Sequence, residues 1–116
     1  MQISILNAPE ELWQELGELP KVTRVEKPTR EMDAILAFFD VKKEYEKHFP
    51  RLAKTLKPNG MLWIGWPKKA SKIPSDLGEH IIREFGLACG LVDVKVCAIT
   101  EKWSGLKFVI RLKDRK

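Results

Sequence analysis

The sequence predicts an α/β domain built on a mostly parallel β-sheet of six strands. The stretch Asp33–Asp40 is apolar between two acids, which is typical of a central strand covered on both faces. A helical pattern, a Lys-Pro-Asn-Gly stop at residues 57–60 and a second apolar run at Leu62–Trp66 follow it. The order strand, helix, turn, strand indicates one parallel βαβ unit.

The composition fits one globular domain over residues 1–116. Hydrophobic residues make up 44% of the chain and charged residues 32%, which excludes the disordered class. No apolar run approaches the roughly 20 residues of a membrane span, and the N-terminus shows no basic leader followed by an apolar segment. We therefore predict a cytoplasmic protein that does not contact a membrane.

The first part of the chain adds two strands and a helix. Ile3–Leu6 is an apolar strand, and a helix begins near Pro9 and stops at Gly17 and Pro20. Val22–Val25 is a weak edge strand. The link from this strand to the next is short for a parallel crossover, so the direction of the second strand stays open.

The second part of the chain adds two further helices. One runs from about Val41 to Leu56, with a kink or a break expected at Pro50. Ser75 or Asp76 is expected to cap the other, which extends to residue 89.

Two strands, Val92–Ile99 and Leu106–Leu112, end the chain and are joined by a short link, so they form an antiparallel hairpin. Right-handed crossovers then give the strand order 2-1-3-4-6-5.

A ligand crevice is predicted where the strand order reverses, between strands one and three, because open parallel sheets bind ligands beyond the carboxyl ends of their strands. The residues expected there are Asn7, Ala8, Asp40, Trp66, Pro67, Lys68, Lys69, Trp103 and Ser104. Asn7 and Asp40 have the alternative role of helix caps. The two tryptophans have the alternative of packing in the core.

A basic loop offers a second type of site. Lys68, Lys69 and Lys72, with a helix start at Ser75, form a candidate anion site, and a solvated loop is the alternative. The net charge of +5 and a basic C-terminal tail also allow nucleic acid binding through the loop and tail.

The sequence shows no pattern typical of a catalytic triad or a metal site. His48 and His80 fall on different helices and are expected at the surface, away from the crevice. No nucleophile, base and acid form a triad pattern. Two cysteines without clustered histidines predict no metal site.

The block Asp33–Arg111 resembles the second half of a class I, Rossmann-like S-adenosylmethionine methyltransferase. An acid opens an apolar strand, and Leu56–Gly60 reads Leu-Lys-Pro-Asn-Gly where that family has Leu-Lys-Pro-Gly-Gly. The whole chain more closely resembles a family of small bacterial proteins of unknown function, itself methyltransferase-like. The segments that carry this resemblance are Leu6–Glu10, Trp66–Lys69, Gly86–Asp93, Lys95–Ala98 and Trp103–Arg111. It implies a Rossmann-like three-layer sandwich.

The first half departs from the methyltransferase pattern. The first strand ends in Asn7–Glu10, with no glycine before Gly17, whereas the family has an acidic, glycine-rich cofactor loop there. Pro9 removes a backbone donor from this loop. Glu26 is the one candidate for the acid that would hold a ribose. The chain is therefore interpreted as a truncated methyltransferase-like domain.

Three functions follow as hypotheses. The first is a degenerate methyltransferase-like protein that binds a ligand or partner without methyl transfer. The second is a methyltransferase with an atypical site for S-adenosylmethionine. The third is a nucleic-acid-binding module, and a homodimer is compatible with each of them.

Overall fold

The computed structural model describes residues 2–10, 12, 23–24, 31–111 and 114. Its strands are β1 (Gln2–Leu6), β2 (Thr23–Arg24), β3 (Met32–Phe38), β4 (Leu56–Pro67), β5 (Leu91–Ala98) and β6 (Trp103–Ile110). Its helices are α1 (Lys42–Lys54) and α2 (Glu79–Ala88), with a short 3-10 turn at Lys69–Ser71. The helix predicted from Pro9 to Gly17 lies mostly outside the described residues. Within the described residues, no helix combines the length and apolarity that a membrane crossing requires.

The strands form one sheet in the order β2-β1-β3-β4-β6-β5, which is the predicted order. β1 pairs in parallel with β2 and β3, and β3 pairs in parallel with β4. β6 is antiparallel to both β4 and β5. The prediction of a mostly parallel six-stranded sheet is corrected in one respect. The sheet is mixed, with five strands of five residues or more and a described β2 of two residues.

Side chains of the central strand β3 alternate between two apolar cores. Ile35 and Ala37 lie in the main core beneath α1 and α2. Phe38 lies in a smaller core on the other face, with Leu12 among its neighbours. A strand that is apolar on both faces therefore has apolar cover on both, as its sequence predicts.

The orientation of α1 is fixed by aromatic packing. Tyr45 and Phe49 are fully buried and both contact Phe85 of α2 edge-on, with ring centroids 5.4 and 5.9 Å away. Phe49 also packs edge-on against Phe108 of β6 at 5.2 Å. The Tyr45 hydroxyl donates a hydrogen bond of 2.8 Å to the Ile82 carbonyl. Burial raises the pKa of Tyr45, so this hydroxyl keeps its proton and acts as a donor.

Helix α1 runs through Pro50 without the break that was one of the two expectations. A proline there removes one helical hydrogen bond. Phe49 and Leu52 on either side of it are buried, and burial of each contributes about 1.5–3 kcal/mol. This burial offsets the missing bond.

The helix caps differ from those predicted. The backbone N–H of Lys42, at the start of α1, donates to Asp76 Oδ1 at 2.6 Å. Asp76 therefore caps α1 rather than its own helix, and the alternative role of Asp40 as a cap is wrong. Helix α2 begins at Glu79 after Gly78, which provides no side-chain cap.

The predicted turn at residues 57–60 is a bulge of four residues inside β4. Met32 of β3 pairs with Leu56, and Ala34 pairs with Met61. Residues 57–60 of β4 therefore stand opposite a single residue of β3, Asp33. The backbone at Gly60 approaches the backbone of β3 so closely that a Cβ on Gly60 would lie 2.7 Å from the Met32 carbonyl oxygen. The stop signal read from proline and glycine thus marks a local irregularity.

Asp33 ties three strands together at this bulge. Its Oδ2 accepts a hydrogen bond of 2.6 Å from the backbone N–H of Gln2 in β1. Its Oδ1 lies 3.2 Å from Lys57 Nζ in β4. The Gln2 N–H and then the Lys57 ammonium lower the pKa of the Asp33 carboxyl.

The β5–β6 hairpin is confirmed, and its tip is shorter than predicted. The backbone N–H groups of Lys102 and Trp103 donate to Thr100 Oγ1 at 3.2 and 3.1 Å. These bonds close a tight turn, so β6 begins at Trp103. Trp103 and Ser104 are strand residues rather than tip residues.

We predict that Gly86→Ala destabilises the protein by about 1–3 kcal/mol, because a Cβ there would collide with the buried ring of Phe108. The collision outweighs the roughly 1 kcal/mol by which alanine is the better helix former. Gly78→Ala is the matched control, since nothing lies within 4 Å of a Cβ at that position. Its change should stay within about 0.5 kcal/mol. Urea unfolding measures both variants, and equal losses would contradict this account.

We also predict that Asp33→Asn lowers stability at pH 7 and loses this effect in acid. A carboxyl whose pKa is lowered on folding stabilises the protein above its unfolded pKa of about 3.9, and this contribution disappears as the pH falls through the folded pKa. Thermal unfolding from pH 7 to pH 3 should show the two proteins converging at the acid end. A difference in stability that stays constant over this range would contradict the role given to Asp33.

Candidate functional site

A cavity of about 470 Å³ opens at the carboxyl ends of β1 and β3, where the strand order reverses. We call it the crevice. Its lining residues are Asn7, Phe38, Phe39, Asp40, Glu44, His48 and Trp103. The volume lies within the roughly 300–1,000 Å³ range of small-molecule sites. A cavity therefore lies at the place where the sequence predicts a crevice, and three of the residues predicted to line it (Asn7, Asp40 and Trp103) do so.

Asn7 makes the turn out of β1. Its φ of 55° is left-handed, a conformation that asparagine adopts more readily than most residues. The next bend is closed by the Leu12 N–H, which donates to the Pro9 carbonyl at 3.0 Å. Asn7 is exposed, and among the described contacts its side chain caps no helix. This conformation turns the chain out of β1.

One wall of the crevice is an aromatic pair. Phe38 and Trp103 meet edge-on, with ring centroids 5.4 Å apart and planes at 81°. Gly65, which pairs with Gly105 across β4 and β6, makes room behind this wall. A Cβ on Gly65 would lie 2.7 Å from the Phe38 ring. Trp103 is 9% exposed, so most of it is packed, and its remaining surface lines the crevice.

Phe39 and His48 form the adjoining part of the lining. Their rings lie nearly parallel at 16°, with centroids 6.1 Å apart. The Phe39 N–H donates to the Gly65 carbonyl at 2.9 Å, which holds the end of β3 against β4. His48 Nε2 lies 3.2 Å from Glu44 Oε2, and the two side chains are 38% and 54% exposed. The crevice therefore contains a carboxylate–imidazole pair.

The expectation that His48 lies away from the crevice is wrong. Asp40, Glu44 and His48 are spaced by four residues; Asp40 precedes α1, which begins at Lys42, and Glu44 and His48 lie within it. Residues at this spacing lie on one side of a helix. The signal was present in the sequence as an acid at the end of the central strand, followed at intervals of four residues by an acid and a histidine on the next helix. His80, by contrast, pairs with Glu84 at 3.0 Å and is 80% exposed, as expected for a surface residue.

Asp40 is an exposed carboxylate in the crevice that, unlike Glu44, has no partner among the described residues. It is exposed, and the N–H at the start of α1 that it was expected to cap donates to Asp76 instead. No hydrogen bond to its carboxylate is present among the described residues. Asp40 and Glu44 place two acids in a cavity of a chain whose net charge is +5.

Six predicted crevice residues do not line the cavity. They are Ala8, Trp66, Pro67, Lys68, Lys69 and Ser104. For Trp66, Pro67 and Ser104 the reason is strand pairing: β4 continues to Pro67 and pairs with the start of β6, so these residues are part of the sheet.

Each of these residues has a structural position instead. Trp66 is 6% exposed in the main core, so core packing is its observed role. The Lys68 N–H donates to the Lys102 carbonyl at 2.8 Å, which extends the pairing beyond Pro67. Lys69 is exposed in the 3-10 turn, and Ala8 packs against the smaller core.

The candidate anion site lacks the helix start that it required. Helix α2 begins at Glu79, four residues after Ser75. Ser75 Oγ accepts the Leu77 N–H at 3.1 Å within the loop. Lys72 ends the 3-10 turn in a left-handed conformation, with φ of 61°. Ser75 therefore does not begin a helix next to the loop lysines.

Two other described cavities differ in character from the crevice. One of about 240 Å³ lies between α1 and α2, and oppositely charged groups such as Lys42 and Glu84 line it. Another of about 420 Å³ lies near the start of β5, where Cys89 is part of the lining. Burial raises the pKa of the Cys89 thiol, which keeps it in the less reactive protonated form. Within the described residues, no group of three or more potential ligands is placed to hold a metal ion.

Comparison with known proteins shows the fold. No family model and no curated protein matches the chain. Solved structures of S-adenosylmethionine-dependent methyltransferases do match. A methyltransferase of this kind from Clostridium acetobutylicum superposes with a TM-score of 0.61 at 8% identity. The match covers 94% of this chain and 83% of that chain.

Two further matches are larger proteins. The magnesium protoporphyrin IX methyltransferase ChlM from Synechocystis, with bound S-adenosylhomocysteine, gives a TM-score of 0.59 at 12% identity over 85% of this chain. LepI, in complex with S-adenosylhomocysteine and a substrate analogue, gives 0.62 at 9% identity over 95% of this chain. The present chain spans 55% of the ChlM chain and 36% of the LepI chain. At these identities the likeness shows an α/β methyltransferase-like fold.

Proposed function

We propose that this chain is a ligand-binding domain of methyltransferase-like fold whose crevice takes a small organic cation without transferring a methyl group. The observation that supports this proposal is the pairing of two carboxylates with aromatic rings in one cavity. Asp40 and Glu44 supply negative charge beside Phe39, His48 and Trp103. Carboxylates and aromatic faces both attract organic cations.

The charge of the crevice favours a cation over an anion. Asp40 has no partner among the described residues, and Glu44 is paired with His48 alone. A cation that enters would gain two nearby opposite charges in a partly enclosed site, where water screens less than in bulk solvent. A stacked aromatic face adds about 0.5–2 kcal/mol to such binding.

S-adenosylmethionine is the first ligand to test. It carries a sulfonium and an ammonium beside a flat adenine ring, which matches an acidic and aromatic lining. LepI and ChlM, which share the fold at 9% and 12% identity, were both solved with S-adenosylhomocysteine bound. The crevice lies where open α/β sheets bind their ligands.

The turn after β1 supports binding without methyl transfer. Residues 7–10 read Asn-Ala-Pro-Glu, and Pro9 has no N–H to donate. Asn7 makes the left-handed turn, and its side chain limits how closely a cofactor can approach the backbone. A catalytic site needs its cofactor held in a fixed orientation, and this loop offers fewer backbone contacts for that purpose.

Methyl transfer itself is the second candidate, and the His48–Glu44 pair favours it. The imidazole, held at one nitrogen by the Glu44 carboxylate, can accept a proton from the atom that receives the methyl group. Glu44 would then stabilise the imidazolium. S-adenosylhomocysteine would be the product.

Calorimetric titration tests the proposal. S-adenosylmethionine should bind with a micromolar Kd, and S-adenosylhomocysteine, which is uncharged at sulfur, should bind several-fold more weakly. Asp40→Asn and Glu44→Gln should each weaken binding of S-adenosylmethionine by about tenfold, the equivalent of about 1.4 kcal/mol. Glu84→Gln is the matched control, because Glu84 forms the same type of pair with an exposed histidine outside the crevice.

The controls decide between the outcomes. Absence of binding, or equal losses in Glu84→Gln and the crevice variants, would overturn the proposal. Formation of S-adenosylhomocysteine from S-adenosylmethionine together with an equal amount of a methylated acceptor added to the reaction, lost in His48→Gln and kept in His80→Gln, would establish the second candidate instead.

A further inference from the structure

Four basic side chains follow the outer face of α1. Lys43, Lys47, Arg51 and Lys54 are all exposed, while Tyr45, Phe49 and Leu52 of the same helix are buried. We call these four residues the basic stripe. They are separated by four, four and three residues. At about 100° per residue this spacing places them within an arc of roughly 80°, opposite the buried face.

The stripe is a continuous line of charge. Eleven residues separate its ends, which corresponds to about 16 Å along the helix axis at about 1.5 Å per residue. Each basic group lies about 4.5–6 Å along the axis from the next. The chain thus presents four cations in a row on a rigid element.

The basic stripe has no acidic partner in the described part of the chain. The described ion pairs involve other cations: Lys57, Arg83 and the two histidines. Glu44 of α1 contacts His48 and turns toward the crevice. Asp114 lines a cavity together with Lys54 without forming an ion pair to it. Among the described residues, these four charges therefore have no ion-pair partner.

The arrangement suits a polyanion better than a membrane. Helices that bind bilayers insert an apolar face beneath their basic residues. The apolar face of α1 is already buried in the main core. A nucleic acid requires only the cations, since duplex DNA carries one negative charge per about 1.7 Å of its axis. Over the roughly 16 Å length of the stripe, each strand of a duplex carries about five phosphates, at about 3.4 Å per phosphate.

We propose that the outer face of α1 binds the phosphate backbone of a nucleic acid through the basic stripe, without reading base sequence. Lysine and arginine without aromatic side chains between them contact phosphates rather than bases. The proposal is independent of the cation site in the crevice, because it rests on a different face of the helix. It also places nucleic acid binding on α1 rather than on the loop and tail that the sequence indicated.

Fluorescence anisotropy with a labelled RNA, its DNA counterpart and a DNA duplex tests this proposal. All three should bind at low salt and weaken steeply as salt rises. The triple variant Lys43→Gln, Lys47→Gln, Arg51→Gln should weaken binding by at least about tenfold. It should also lower the slope of log K against log salt by about 2–3, as expected for three lost phosphate contacts.

The matched control is Lys69→Gln, Lys72→Gln, Lys95→Gln, which removes the same charge from exposed positions outside α1. It should keep its affinity within about twofold. Circular dichroism verifies that both variants fold. Lys47→Glu, a single substitution that reverses one charge of the basic stripe, is a second test variant with fewer altered residues. Equal losses in the two triple variants, no binding at low salt, or tighter binding to an acidic polypeptide than to RNA would overturn the proposal.

Discussion

The rotation of α1 about its own axis determines what each face of this helix does. Tyr45 and Phe49 set that rotation, because both pack edge-on against Phe85 and Phe49 also packs against Phe108. The hydrogen bond from Tyr45 to the Ile82 carbonyl joins α1 to α2 as well. With the apolar face held against the sheet, the remaining side chains have fixed directions.

Two of those directions carry charges of opposite sign. Glu44 and His48 line the crevice at the end of β3, and the basic stripe points away from the core. The cap from Asp76 holds the start of α1, and it leaves the Asp40 carboxylate free to face the crevice. An acidic cavity and a basic surface can therefore sit on one helix without neutralising each other.

Strand order and the position of the crevice were predictable, because both follow from the topology of a βαβ unit and the pattern of apolar strands. The details of the site were not. That Asp76 caps α1 and that β4 pairs through Pro67 depend on contacts between segments far apart in sequence. His48 was within reach of sequence reasoning, since its spacing of four from Glu44 places both on the side of α1 that follows Asp40 at the end of the central strand. The importance of Gly65, which makes room for Phe38, becomes visible only once β3 and β4 are side by side.

A two-dimensional nuclear magnetic resonance titration with S-adenosylmethionine tests the central claim most directly, because it reports which residues meet the ligand. The account predicts saturable shifts in the amide signals of Asn7, Asp40 and His48 and in the indole N–H of Trp103. The amide signals of His80 and Glu84, which form an equivalent exposed pair on α2, should stay unchanged. Shifts confined to other parts of the molecule, or none at all, would contradict the claim that the crevice is a binding site for an organic cation.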